Sequence, residues 1–143
     1  MNGYLNNLEA TKDTIDEDGW LKTGDLGQIT KSGNLQLTGG RLRDMIIRGG
    51  ENIYSSEVEN VLYDHPAVTD AALVGIAHQQ LGEEPAAVVH LAPGMHATEA
   101  ELQEWVAERL AKFKVPVKIA FSKETLPRNA NGKILKKELS SFF

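Results

Sequence analysis

Across residues 45–143 the apolar pattern switches repeatedly between strand-like runs and helical spacing, and this alternation restricts the possible folds more than any other feature of the chain. Met45 to Arg48 reads as a short strand, followed by Gly49-Gly50 and a second short extended piece. Ser56 with Glu59 has the spacing of a capping box, and Val58, Val61 and Leu62 follow at helical intervals. Ala71 to Ile76 and Ala86 to Leu91 are strand segments. Thr98 with Glu101 repeats the capping-box pattern ahead of a helical apolar stripe, Leu102, Trp105, Val106 and Leu110. Val117 to Phe121 is another strand, and Ile134, Leu135 and Leu139 predict a final short helix. The expected fold is α/β (α+β), a small mixed sheet covered by two or three helices, in a unit of about 100 residues.

Residues 1–40 have a different texture. They are turn-rich and helix-poor, with turn signals at Asp18-Gly19 and Ser32-Gly33-Asn34. Leu26 to Thr30 and Leu35 to Thr38 are short strand-like runs, and they read as a hairpin. The hairpin has few large apolar side chains, so it is expected to pack against something else. The chain divides into a β-rich piece (1–40), a charged junction (41–44) and an independent domain (45–143).

Composition narrows the function classes. With no cysteine there is no disulfide framework, thiol nucleophile or Cys-ligated zinc. A formal charge of −5 offers no global basic field for nucleic acid. No apolar run approaches a membrane span, and the amino terminus is not signal-like; a cytoplasmic protein is the expectation. His65, His78, His90 and His96 lack metal-ligand spacing, so no metal site is expected, and Trp20, Trp105, Phe113, Phe142 and Phe143 read as packing groups.

Four short segments have chemical potential, each with a plainer alternative. Asp25, in Thr23-Gly24-Asp25-Leu26, can accept hydrogen bonds from a cis-diol or be an ordinary turn aspartate. Arg41 can hold ribose or phosphate, while its junction, Gly40 to Asp44, is equally a linker or hinge. Gly49 and Gly50 admit a close ligand or merely a turn. Lys133 ends the loop Pro127 to Lys133, where it can neutralise phosphate or carboxylate charge or simply be solvated.

Taken in order, GYLNNLEAT, DEDGWLKTGDLG, GRLRDMIIRGGENIYSSEVE, HPAVTDAALVGIAHQQLGEEPAAVV, LAKFKVP and LPRNANGKILKKEL resemble the tail of the superfamily of acyl-CoA synthetases, peptide-synthetase adenylation domains and beetle luciferases. The Gly-Gly-Glu-Asn-Ile form is nearer the acyl- and aryl-CoA ligases. The resemblance covers nearly the entire chain. It implies a two-step reaction in which a carboxylic acid and ATP give acyl-adenylate and pyrophosphate, and CoA then displaces AMP. It also implies a carboxy-terminal lid that rotates between the steps.

By the same resemblance, Asp25 and Arg41 would bind the nucleotide, Arg43 would stand at the hinge position, and Lys133 would be the lysine of adenylation. Gly49 and Gly50 would line the pantetheine tunnel, with Leu81 and Phe113 as CoA-nucleotide contacts. Ser55 stands where relatives often have Pro. ATP, Mg²⁺ and CoA would serve the complete enzyme, and none would be bound tightly by this chain. The triphosphate loop, the Mg²⁺-binding acid and the acyl pocket would belong to a preceding amino-terminal adenylation domain, the expected partner. The chain is accordingly expected to be a fragment or a truncated reading frame, inactive alone. A lid for carrier-protein loading and a non-catalytic binding module are the competing readings.

Overall fold

Alternate residues of two apolar runs point to opposite sides of one sheet. In the computed structural model, strands β5 (Val68–His78) and β6 (Gly82–Leu91) pair antiparallel from Val68 opposite Leu91 to His78 opposite Gly82. Ala71, Leu73, Ala87 and Val89 enter one apolar cluster, and Ala72, Val74, Ala86 and Val88 enter another. This period of two follows from the pleat, and burial on both faces explains why the runs are apolar throughout. The structure describes the backbone of residues 1–143 and the side chains of all but Thr38, Gly39, Gly40, Arg41 and Arg43.

Three more strands complete the sheet. The hairpin of β3 (Met45–Arg48) and β4 (Glu51–Tyr54) joins β6 where Arg48 meets Gly82. Strand β7 (Lys118–Ser122) runs parallel to β6, from Ala86–Lys118 to His90–Ser122. A parallel neighbour needs a crossover, and helix α3 (Glu99–Ala107) lies within it.

One face of the sheet carries α2 (Ser55–Tyr63) and α3. Val58 and Leu62 of α2 and Leu102 and Val106 of α3 are fully buried against Leu73 and Val89, each burial contributing roughly 1.5–3 kcal/mol. The other face is covered by the carboxy-terminal segment, through Leu126, Ile134 and Leu139, the last in the four-residue helix α4 (Lys136–Leu139). The small mixed sheet with two or three covering helices is therefore present.

The two capping boxes have different fates. Thr98 accepts from the Glu101 amide at 3.2 Å while Glu101 accepts from the Thr98 amide at 2.7 Å. Helix α2 has no side-chain cap; Tyr54 is its N-cap residue. Glu59 is drawn away to accept from the Leu73 amide of β5 at 2.8 Å.

Residues 1–40 contain an unexpected helix, α1 (Leu8–Thr14), begun by Asn7, whose side chain accepts from the Ala10 amide. It has no buried residue. The expected hairpin forms from β1 (Asp25–Ile29) and β2 (Leu35–Arg41), and β2 lies against α2 and β4. Ile29, Leu35 and Leu37 remain exposed. Trp20, read as a packing group, is 74% exposed, because neither apolar cluster extends into its part of the chain.

Candidate functional site

The loop ending in Lys133 is a closed turn. Arg128 and Ile134 form an antiparallel bridge. Inside it, the Asn129 amide donates to the Lys133 carbonyl and the Gly132 amide to the Asn129 carbonyl, both at 2.9 Å. Asn129 Oδ1 accepts from the amides of Asn131 and Lys133 at 3.0 and 2.9 Å, so one side chain holds both limbs. Gly132 has φ +77°, where a Cβ would be strained. The turn exposes Lys133 while fixing its backbone.

Beneath this turn lies a carboxylate that the sequence reading did not single out. Asp70, on β5, is 3% exposed. It accepts from Tyr63 Oη at 2.6 Å, Arg128 Nη2 at 2.6 Å and the Leu126 amide at 3.1 Å. Arg128 Nη1 donates to the Gly132 carbonyl at 2.9 Å. Burial alone would raise the Asp70 pKa, but these donors outweigh it and hold the carboxyl below its ordinary value. Burial, then the bond to Asp70, raise the Tyr63 hydroxyl. The available signal was an aspartate inside an apolar strand, because a buried carboxylate needs partners.

Lys133 borders a groove of about 1020 Å³, which also takes in Asp44, Ser56, Glu59, Gly75 and Lys136. Lys136 Nζ meets Glu59 Oε1 at 2.7 Å. The groove thus runs from the basic carboxy-terminal segment to the end of the 41–44 junction, which forms a 3₁₀ turn over Leu42–Asp44. Ser55, buried at the start of α2, donates its hydroxyl to the Asp44 carbonyl and ties the junction to the domain. Pro at this position would have no such donor.

The glycine pair lies elsewhere. Gly49 (φ +56°) and Gly50 (φ +90°) make the β3–β4 turn. The Gly49 amide donates to the Leu81 carbonyl at 2.8 Å, and a Cβ on Gly49 would stand 3.0 Å from Leu81 Cδ2. A Cβ on Gly50 would meet nothing within 4 Å. Leu81 therefore joins the pair. Phe113 packs at the edge of the α2–α3 cluster, beside Lys114, whose Nζ meets Glu57 at 2.6 Å. None of these four residues lines the Lys133 groove.

Asp25 and Arg41 are register partners across the β1–β2 hairpin, which brings the two candidate nucleotide-binding positions together. The Leu42 amide donates to the Gly24 carbonyl at 3.1 Å, closing the same end. The side chains of Arg41 and Arg43 lie outside the described residues. Among the described residues no group of acidic or histidine side chains is suited to a metal ion. His65 packs edge-on against Trp105, and His90 Nδ1 lies 3.0 Å from the Ser122 carbonyl. No helix among the described residues is long and apolar enough to cross a membrane.

Residues 57–133 match the family described as AMP-binding enzyme C-terminal domain. The chain is 48% identical over 139 residues to a methyl-dioxo-octahydro-indenyl-propanoyl:CoA ligase of Mycobacterium tuberculosis, covering 97% of the chain and 27% of the relative. It is 47% identical over 137 residues to the 2-succinylbenzoate–CoA ligase of Bacillus cereus, covering 96% of the chain and 27% of that protein. Among solved structures, the o-succinylbenzoate CoA synthetase of Bacillus subtilis, in complex with its acyl-adenylate intermediate, superposes with a TM-score of 0.87 at 42% identity. That match covers 97% of this chain and 28% of the other. The chain thus spans about a quarter of the length of these relatives.

Proposed function

This chain belongs to the AMP-binding enzyme C-terminal domain family, and on that premise we propose that it is the lid portion of an AMP-forming acid–CoA ligase. In this reading a carboxylic acid attacks the α-phosphorus of ATP, pyrophosphate leaves, and CoA then displaces AMP from the acyl-adenylate. Residues 1–40 are the β-rich end of the large adenylation domain, residues 41–44 the hinge and residues 45–143 the lid. Asp25 and Arg41 hold the nucleotide, Arg43 carries the hinge rotation, Gly49 and Gly50 line the pantetheine path, and Leu81 and Phe113 touch the CoA nucleotide.

The observation that carries the reading is Lys133, exposed at the end of a tightly hydrogen-bonded turn and bordering a groove that reaches the junction. An ammonium carried on a fixed backbone can stabilise negative charge as it shifts from carboxylate to phosphate. Separate locations for Lys133 and the glycine pair suit a lid that offers a different face to each step. Mg²⁺ accompanies ATP in the reaction implied by the sequence, but no cluster among the described residues fits it.

The test is Lys133→Ala in the complete ligase. Pyrophosphate release with acid and ATP should fall on the order of 10²-fold or more, while thioester formation from supplied acyl-adenylate should be spared. Equal loss in both half-reactions would remove Lys133 from its proposed role.

A further inference from the structure

We propose that Asp70 is a positioning residue for Lys133, acting through the two arms of Arg128. The inference rests on the lid reading for its catalytic consequence, but its structural part stands independently. A path of hydrogen bonds leads from the sheet to the lysine. Asp70 Oδ1 accepts from Arg128 Nη2 at 2.6 Å, and Arg128 Nη1 donates to the carbonyl of Gly132, the residue before Lys133, at 2.9 Å. Asp70 Oδ2 accepts from the Leu126 amide, which fixes where the segment leaves the sheet. Tyr63, on α2, donates to the same carboxylate, so the anchor is held by both helix layer and strand.

The guanidinium is suited to this task because its donors form a rigid planar fork. One donor engages a buried anion and another a backbone carbonyl, so the closed turn takes its direction from β5. Lysine can retain the ion pair but cannot span both acceptors in a fixed plane. The turn's internal bonds set its shape; the Asp70–Arg128 link sets its orientation.

The test begins with the 143-residue chain. Backbone ¹⁵N order parameters over Asn129 to Lys133 should be near the rigid value of about 0.85 in the parent, and fall below about 0.6 in both Arg128→Lys and Asp70→Asn. Those of Leu73 and Val88 should stay rigid. If Asp70→Asn fails to fold, Arg128→Lys decides. A turn that stays rigid in Arg128→Lys, or a loss that spreads through the sheet, overturns the proposal.

In the complete ligase, Asp70→Asn should lower adenylate formation on the order of 10-fold or more, as a displaced catalytic group does, and spare thioester formation from supplied adenylate. In a Lys133→Ala background, Asp70→Asn should cost nothing further, because it acts through the lysine. A full additional loss in that background refutes a route through Lys133. If Lys133→Ala itself is silent, the adenylation reading fails, and the order parameters still decide whether Asp70 orients the turn.

Discussion

At the scale of single residues, Asp70 is the buried carboxylate on which Tyr63, Leu126 and Arg128 converge. Its carboxyl is held below the ordinary value near 3.8. A depressed folded-state pKa stabilises the fold above the unfolded-state value and loses that contribution as pH falls through the folded-state value. The stability from Asp70 is therefore complete above about pH 4 and declines below it. Asp70→Asn should cost about 1–3 kcal/mol at pH 7, the scale for hydrogen bonds to a charged group, because Arg128 is largely exposed and its guanidinium can be solvated when the partner is lost. Urea unfolding of parent and variant should show that gap closing as pH is lowered from 5 to 2. A gap independent of pH would mean that the charge of Asp70 is immaterial. The turn that carries Lys133 was legible in the sequence because Asn-Gly marks a turn and Ile134-Leu135 marks its return to the core. The Asp70 network was not, because its partners Leu126 and Arg128 lie 56 and 58 residues away. Only the fold makes them neighbours.

At the scale of elements, the two capping-box patterns separate what local sequence can specify from what it cannot. Each places a hydroxyl three residues before a glutamate. Thr98 and Glu101 close on each other, and the Thr98 backbone amide and then its hydroxyl hold the Glu101 carboxyl below its ordinary value. Glu59 instead serves Leu73 and Lys136, while Ser56 Oγ is buried with no hydrogen-bond partner among the described residues. The helix was legible from Val58 and Leu62; its start was not, because a sheet donor competed successfully for the glutamate. Thr98→Ala should destabilise the chain by about 1 kcal/mol. Ser56→Ala should be neutral or slightly stabilising, since it removes a buried hydroxyl that makes no bond. Equilibrium urea denaturation of both variants checks the contrast, and a cost at Ser56 equal to that at Thr98 would mean that Ser56 does cap α2.

At the scale of the whole molecule, stability is unevenly distributed. Both apolar clusters lie within residues 46–139, and α1 has no buried residue. Ile29, Leu35 and Leu37 of the hairpin are exposed. Amide hydrogen exchange should therefore be early through β1 and β2 and late through Ala71 to Ile76 and Ala86 to Leu91. Uniform protection would place the domain boundary elsewhere. The strands of the sheet were legible from apolar runs, and β7 from the apolar stretch beginning at Val117. Helix α1 was not, because its sequence, Leu8-Glu9-Ala10-Thr11-Lys12-Asp13-Thr14, has no apolar stripe to reveal it.

The two-sided burial of β5 and β6 also means that neighbouring positions answer to different neighbours. Ala71 and Ala87 press on the α2–α3 layer, whereas Ala72 and Ala86 press on Leu126, Ile134 and Leu139, the layer that bears Lys133. Inheritance can therefore vary the apolar packing of the two layers separately, while the polar links between them, Tyr63–Asp70–Arg128 and Glu59–Lys136, must be kept. An engineer gains the same freedom: a methyl added at Ala72 probes the seat of the lysine, and the same methyl one position earlier probes the helices. For apolar packing the sheet acts as a partition, and what joins its two sides is polar.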